Sequence, residues 1–483
     1  MSSQRVVRVR TREDGVAAHE LRDGITRIQE ELGVTPGFPS DVEQAAKAAA
    51  AEPRLPELDR TDIPFVTIDP PGAMDLDQAL HIEHDGDGYV VHYAIADVAA
   101  FVSAGDPVDV EAHQRGETLY GADSKVPLHP KAISEDAGSL LPDEVRPALL
   151  WTIKVDETGE GTEVEVQRAR VRSTAQLDYA VAQKAIDEGS ADETLVLLQE
   201  VGELRLAREA ARGGVSLPLP EQEIEIEGDR WHLEFRTLLP VEEWNAQISL
   251  LTGFAAASLM VYARVGLLRT LPTPDPRDVQ RLHRTARALG IEWPAEQLYP
   301  DFIRSLDPDQ PKHAAMVVAC TRLLRGSGYV GFDGEVPAEP QHAALASEYA
   351  HVTAPLRRLG DRYAGEICVA LCAGTEVPSW VQEKLHELPE TLADSSRRAN
   401  QYERAIVDLV EAGTLVDRVG EAFDGVVVEV SEKGDAPRGV VTLREDGIEG
   451  PVTSSSPLQL GAEVTVTLAS VSVHDRKIAF TFD

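Results

Sequence analysis

Short apolar runs separated by turn residues begin at about residue 63, with IPFVTID, QALHIEH and YVVHYAIADVAAFV. Each is strand-length and rich in β-branched or aromatic residues, and the Asp87-Gly88 pair between the second and third predicts a hairpin. Further along, the period lengthens and predicts helices over about 174–212, 242–268, 276–289, 311–325, 359–374 and 395–412. From residue 416 the pattern returns to strands: FDGVVVEVS, RGVVTLRE, GIEGPVT, EVTVTLASVSV and KIAFTFD. Five such runs in so short a stretch predict a small closed barrel of the oligonucleotide-binding type. Residues 1–60 read as a short, mainly helical accessory segment that carries an alternating basic piece at residues 5–12, the pattern of an exposed edge strand or of a phosphate grip. The expected organisation is an α+β protein with three parts: an accessory segment (1–60), a large mixed α/β domain (61–415) and a five-stranded barrel (416–483).

Charge alters this picture. The 46 Lys and Arg face 82 Asp and Glu, a net charge of −36, and such a surface repels nucleic acid and anionic membranes. A polyanionic substrate therefore needs a local basic site. Residues 264–325 hold ten basic residues against seven acids, a candidate for an arginine-lined path, whereas the barrel region has six against twelve. Only nine of the basic residues are Lys, a bias that suits bidentate phosphate recognition and equally follows from codon usage. The three cysteines, Cys320, Cys368 and Cys372, form neither a disulfide framework nor a zinc ribbon. The start MSSQRVVRVRTRED has Arg where a signal peptide needs an apolar core, so a cytoplasmic location is expected. The 19-residue uncharged run at 245–263 contains Asn245, Gln247 and Ser249 and reads as a buried helix, so no membrane partner is expected. No obligate protein partner is evident either.

The stretch with most chemistry is Phe65-Val-Thr-Ile-Asp69-Pro-Pro-Gly-Ala-Met-Asp75-Leu-Asp77-Gln78. An apolar strand runs up to Asp69, and Pro70, Pro71 and Gly72 then turn the chain away from helix. In the extended piece that follows, Asp75 and Asp77 share a face and Leu76 takes the other. Three carboxylates converging in this way repel one another and take up protons unless a hard cation neutralises them. Mg²⁺ is the natural choice, with Mn²⁺ as a substitute, and such a site polarises a phosphodiester and activates water. On spacing alone, a solvated acidic loop is the better fit.

The neighbouring motifs resemble the RNB family, the ribonuclease II type of 3′-to-5′ exoribonuclease. The resemblance rests on FVTIDPPGAMDLDQAL, YAIADVAAFV, LYGADSKVPLHP, LPDEVRPAL and, far downstream, YAHVTAPLRRLGDRY, in that order over roughly residues 60–412. It implies an RNB-type catalytic domain followed by an S1-like barrel, and a channel that admits single-stranded RNA, clamps its 3′ end and releases nucleoside 5′-monophosphates processively. Asp69, Asp75 and Asp77 match the magnesium-binding acids, with Asp77 the most critical for catalysis. Arg357 matches the arginine that contacts the scissile phosphate, where a planar guanidinium braces developing charge. Arg358 stands beside it as a further RNA contact. Tyr120 and Tyr179 match aromatics along the RNA path, whose stacking tolerates any base, and Glu403 matches an acid that orients the terminal nucleotide. Without the motifs, Arg357 and Arg358 read as surface ion-pair formers, the tyrosines as core aromatics and Glu403 as an exposed helix charge.

Several positions depart from the family pattern. Gln78 stands where the family has a fourth acid, and an amide brings neither charge nor basicity, so the position is weakened and the number of metal ions left open. Leu217 replaces an aromatic clamp, WNAQISLLTG offers no counterpart to a family acid, and residues 1–60 are too few for the two cold-shock-like barrels that commonly precede the catalytic domain. Two functions therefore follow: a metal-dependent exoribonuclease, or a catalytically weak or silent RNA-binding protein on the same fold.

Overall fold

The structure, a computed structural model, describes residues 7–9, 16–122, 124–215, 217, 221–227, 230–236, 238–307, 310–431, 437–444 and 448–483. Of the basic piece at 5–12, only Val7–Val9 is described, as a strand parallel to Glu221–Glu227; the rest of the piece lies outside the described residues.

The apolar runs after residue 63 close into a barrel of five strands: β1 (Phe65–Asp69), β2 (Gln78–Asp85), β3 (Gly88–Ala96), β4 (Val145–Val155) and β5 (Gly161–Asp178). Neighbours pair antiparallel until β5, which returns parallel to β1 and sets Asp69 opposite Asp178. The β2–β3 turn falls one residue earlier than expected. Asp85 pairs with Gly88, leaving Gly86 and Asp87 as the turn, because Gly86 supplies the positive φ (63°). Residues 174–178, expected to be helical, are the end of β5. Tertiary pairing with β1 overrides their local preference.

Helices build outward from this barrel. α1 (Val16–Glu31) and α2 (Ser40–Ala51) come first, and α2 buries Val42 and Ala46 against the barrel residues Phe65 and Ala94. α3 (Pro107–Arg115), α4 (Tyr179–Asp187), α5 (Glu193–Arg212) and α6 (Pro240–Ala263) follow. α6 is long and apolar enough to cross a membrane, yet Trp244, Ile248, Leu251 and Met260 are buried in the same core as the barrel residues Tyr93 and Trp151. Its neighbour α5 approaches so closely that a Cβ on Gly202 would stand 2.4 Å from the Trp244 Cβ.

α7 (Pro276–Ala288), α8 (Leu359–Ala373) and the 28-residue α9 (Leu388–Leu415) complete the large domain. α1 packs Leu21, Ile25 and Ile28 onto Tyr402, Ile406 and Leu409 of α9, so this helix is part of the core. The five expected strands beyond are β6 (Ala422–Ser431), β7 (Arg438–Leu443), β8 (Glu449–Ser454), β9 (Glu463–Ser472) and β10 (Lys477–Phe482), closed in the order β6-β7-β8-β10-β9.

Three of the ten basic residues in the stretch at 264–325 face the barrel. Arg281 and Arg322 both reach Glu429 of β6, at 3.0 and 2.9 Å, and Lys312 reaches Glu463 of β9 at 2.7 Å. Excess positive charge on one domain thus docks the acidic barrel.

A Gly202→Ala substitution is expected to destabilise the protein by about 1–3 kcal/mol through overpacking against Trp244. Chemical unfolding monitored by tryptophan fluorescence checks this, and an unchanged midpoint would contradict the close approach.

Candidate active site

The candidate site forms where β1 and β5 end side by side. β1 delivers Asp69, and the parallel β5 runs into α4, whose first residue is Tyr179. After the Pro-Pro-Gly turn, the chain to β2 is pinned by Ser139, whose Oγ accepts from the Leu76 N–H (2.9 Å) and donates to the Met74 carbonyl (2.6 Å). Leu76 is buried in the core beneath, and its neighbours Asp75 and Asp77 face the site.

Residues 353–358 form the opposite wall. The Leu356 N–H donates to Asp77 Oδ1 at 2.8 Å, and Arg357 Nε lies 3.3 Å from Asp77 Oδ2. Asp361, at the start of α8, accepts the Ala354 N–H (2.7 Å) and is gripped from both sides by the Arg358 guanidinium (3.0 and 2.8 Å). The backbone of this wall also pairs with residues 117–118, since the Thr118 N–H donates to the Arg357 carbonyl at 2.9 Å. That pairing leads into a short hairpin, Leu119–Tyr120 with Lys125–Val126, which sets Tyr120 beside Arg357. Both side chains are substantially open to solvent, 43% for Arg357 and 40% for Tyr120, so the wall faces a recess that a ligand can enter.

Two carboxylates here lack adequate compensation. Burial pushes Asp69 and Asp77 up to about 7, despite the opposing pull of the Arg357 charge, and the charge on Asp75 pushes each further in the same direction. Asp69 Oδ2 is buried without a hydrogen-bond partner among the described residues. Such an orphaned carboxylate oxygen within reach of another acid's charge is what a hard divalent cation satisfies, so Asp69, with Asp75 acting on both it and Asp77, fits one. Asp75 stands differently. Its Oδ1 is 2.6 Å from Lys125 Nζ, and the same ammonium is 3.1 Å from Glu135 Oε1. Among the described residues no group of three His, Cys, Asp or Glu side chains is set to hold a metal. The charge of Asp75 bears on both Asp69 and Asp77, and Asp75 is at the same time ion-paired with Lys125.

Gln78 is not free to act as a ligand in this arrangement. Its amide oxygen accepts from the hydroxyls of Tyr93 and Ser249 (3.2 Å from Ser249), and its amide nitrogen donates to the Thr353 carbonyl at 2.7 Å. It clamps β2 to the arginine-bearing wall. Arg358, expected on RNA, is committed to Asp361 and supports that wall; two carboxylate oxygens of a buried Asp outcompete a solvent-facing role. Tyr179 is half-buried on the core near Tyr93. Glu403 lies on α9 beside the buried Tyr402, which faces Gly121 next to Tyr120. Leu217, partly buried, packs with Leu271, Leu282 and Ile303.

Lys125, Glu135, Tyr93 and Ser249 were not picked out by the sequence reading. Lys125 did carry a signal, as one of nine lysines and inside the LYGADSKVPLHP motif, but its partners lie on other elements.

Comparisons with known proteins agree with this architecture. The model of the RNB domain matches residues 58–372, and that of the RNase II-type exonuclease C-terminal S1 domain matches residues 421–482. Ribonuclease R of Escherichia coli is 26% identical over 501 residues, covering 92% of this chain and 60% of that protein. The exosome complex exonuclease RRP44 homolog A of Arabidopsis thaliana is 26% identical over 414 residues, covering 82% and 44%. This chain thus spans about half the length of such relatives. Among solved structures, Mycoplasma genitalium RNase R in complex with ribose methylated single-stranded RNA superposes with a TM-score of 0.83 at 19% identity, covering 96% of this chain and 78% of that one. Yeast Ssd1, a pseudonuclease, superposes with a TM-score of 0.70 at 16% identity, covering 92% and 57%. With its RNB domain spanning most of the chain and an S1 barrel following it, the protein belongs to the RNB family of RNase II-type exoribonucleases.

Proposed function

We propose that this chain is a 3′-to-5′ exoribonuclease that hydrolyses single-stranded RNA processively to nucleoside 5′-monophosphates. The observation that carries the reading is a site with two buried carboxylates short of positive charge, Asp69 and Asp77, and a partly exposed arginine 3.3 Å from Asp77. RNB exoribonucleases depend on divalent metal, and Mg²⁺ or Mn²⁺ would be held here by Asp69 and Asp77 with Asp75 beside them. When bound, the ion supplies charge that polarises the scissile phosphodiester. Arg357 Nε is buried against Asp77, but the side chain is partly exposed, and the outer part of the guanidinium, beside Tyr120, can brace the phosphate as its charge grows. Tyr120 offers an aromatic face beside it, suited to stacking any base, and Tyr179 and Glu403 flank the path as further contacts. Asp77 has a second duty: by accepting the Leu356 N–H it fixes where Arg357 stands.

Gln78 favours a second reading, a weak or silent RNA-binding protein on the same fold, since the clamp removes a ligand position without disturbing the architecture. The two separate in one assay. Incubated with 5′-labelled single-stranded RNA and Mg²⁺, the exoribonuclease shortens the strand steadily to a small end product, whereas binding with no shortening establishes the silent protein.

Asp77→Asn keeps an oxygen for the Leu356 N–H but removes the charge. We expect it to lower cleavage by more than about 100-fold while RNA binding persists. Arg357→Lys, which loses the planar fork, is expected to lower kcat by about 10²-fold. Cleavage at the normal rate in either variant would show that the site is misplaced.

A pH dependence follows from the raised carboxyls. Without metal, Asp69 and Asp77 hold protons up to about pH 7, and an incoming cation displaces them. Metal affinity should therefore climb as pH rises through about 7, with proton release seen by calorimetry in buffers of different ionisation enthalpy. A flat affinity with no proton release would remove these two residues as ligands.

A further inference from the structure

Docking the barrel uses only part of the arginine-rich stretch at 264–325. Arg277, Arg281, Arg284 and Arg287 lie on α7 at steps of four, three and three residues, so they follow one face of the helix over ~15 Å of its axis. On the opposite side Leu282, Ala286 and Leu289 are buried with Phe302 and Val317, which fixes the arginine face outward. Arg281, within the row, is the residue that reaches Glu429 of β6 at 3.0 Å. The row therefore runs along the seam with the S1 barrel.

Arg277, Arg284 and Arg287 are exposed, and among the described residues they form no ion pair. Acids outnumber bases by 82 to 46 in this chain, yet three neighbouring guanidiniums are left facing water. The acids nearest in sequence are engaged elsewhere or stand apart. Asp275 caps α7 by accepting the Arg277 N–H at 2.8 Å, and Asp278 lies in the first turn, where the helix dipole favours it. Glu292 and Glu296, exposed beyond the helix, pair with none of the row among the described residues. One turn before Arg287, His283 lies on Trp293 with ring centroids 3.8 Å apart, and Trp293 lies on the buried Phe302, also at 3.8 Å. The stack leads from the core to a partly exposed imidazole beside the arginines. Guanidiniums match phosphate oxygens two at a time, and a ring among them offers a base a flat face. An acidic protein segment would answer the arginines alone.

We propose that this face of α7 is a second RNA-contacting surface, outside the candidate active site, on which Arg277, Arg284 and Arg287 hold phosphates of the single strand 5′ to the part being cleaved. The inference rests on the RNA-directed reading above and adds affinity at a place the reacting end does not touch. Ala344 shares the core beneath α7 and precedes Thr353 by nine residues, so at most ~30 Å of chain separates that core from the arginine-bearing wall. A long RNA can engage both, whereas a short one occupies the site alone.

Binding without cleavage tests it. Fluorescence anisotropy is read without divalent metal across a salt series, for the full chain and an Arg277→Gln, Arg284→Gln, Arg287→Gln variant, with RNAs of about 30 and about 5 nucleotides. A Lys47→Gln, Lys184→Gln, Lys384→Gln variant removes the same charge from scattered exposed positions and controls for the overall field. At about 0.1 M salt the long RNA is expected to bind the arginine variant about 10–100-fold more weakly, with a salt slope lower by about 2, while the short RNA binds all three proteins alike. Circular dichroism checks that each variant is folded. An arginine variant that binds the long RNA as tightly as the parent, or no more weakly than the lysine variant, overturns the proposal and leaves the row to an acidic protein partner. Cleavage is a separate readout. A parent chain that never shortens RNA but shows this length-dependent loss sinks the exoribonuclease reading and leaves the surface standing; one that shortens RNA without such a loss does the reverse.

Discussion

One hydrogen bond holds the two halves of the centre together. Asp77 Oδ1 accepts the N–H of Leu356 across 279 residues of sequence, and through it the acid-bearing edge of the first barrel is registered against the arginine-bearing wall. The bond sits in the interior, where water cannot compete for either partner, so it is strong and costly to leave unmade. Gln78, one residue on, repeats the linkage at Thr353 with an uncharged side chain. The protein thus places a charged link and a neutral link side by side. Only the charged one keeps a carboxylate oxygen turned towards Arg357.

Burial that strengthens these links also creates the electrostatic deficit at Asp69 and Asp77. Desolvation there outweighs the attraction of a single guanidinium that is itself half in water. A site with this imbalance is poised to accept positive charge, and the fold meets part of that demand from its own chain with Lys125. Elsewhere the same currency of charge acts mechanically, as Arg281, Arg322 and Lys312 dock an acidic barrel on the catalytic domain. Surface pairs of this kind are individually weak, and they flank an apolar contact in which Val426 of the barrel is buried with Leu271, Leu282 and Phe302.

Much of this was legible in the sequence. The five strands of each barrel stood out because alternating or continuous apolar runs ended at clear turn residues, and Asp69, Asp75 and Asp77 were visible because one short segment carries all three. Arg357 could be reached only through the motif around it, since a pair of arginines before a helix has many uses. What escaped depends on tertiary neighbours: the partners of Gln78 lie 15, 171 and 275 residues away, and Arg358 cannot be seen as a buried support until Asp361 folds back on it. The end of β5 was misread because its polar pattern, RSTAQLD, makes sense only as the strand that closes a barrel against β1.

The wall that carries Arg357 comes late in the chain, and the acids come early. A nascent polypeptide that has emerged only as far as residue 350 has Asp69, Asp75 and Asp77 but neither the Leu356 N–H that donates to Asp77 nor the arginine that opposes it. The centre is therefore assembled in one late step of synthesis, when the residues beyond 353 close over the barrel edge.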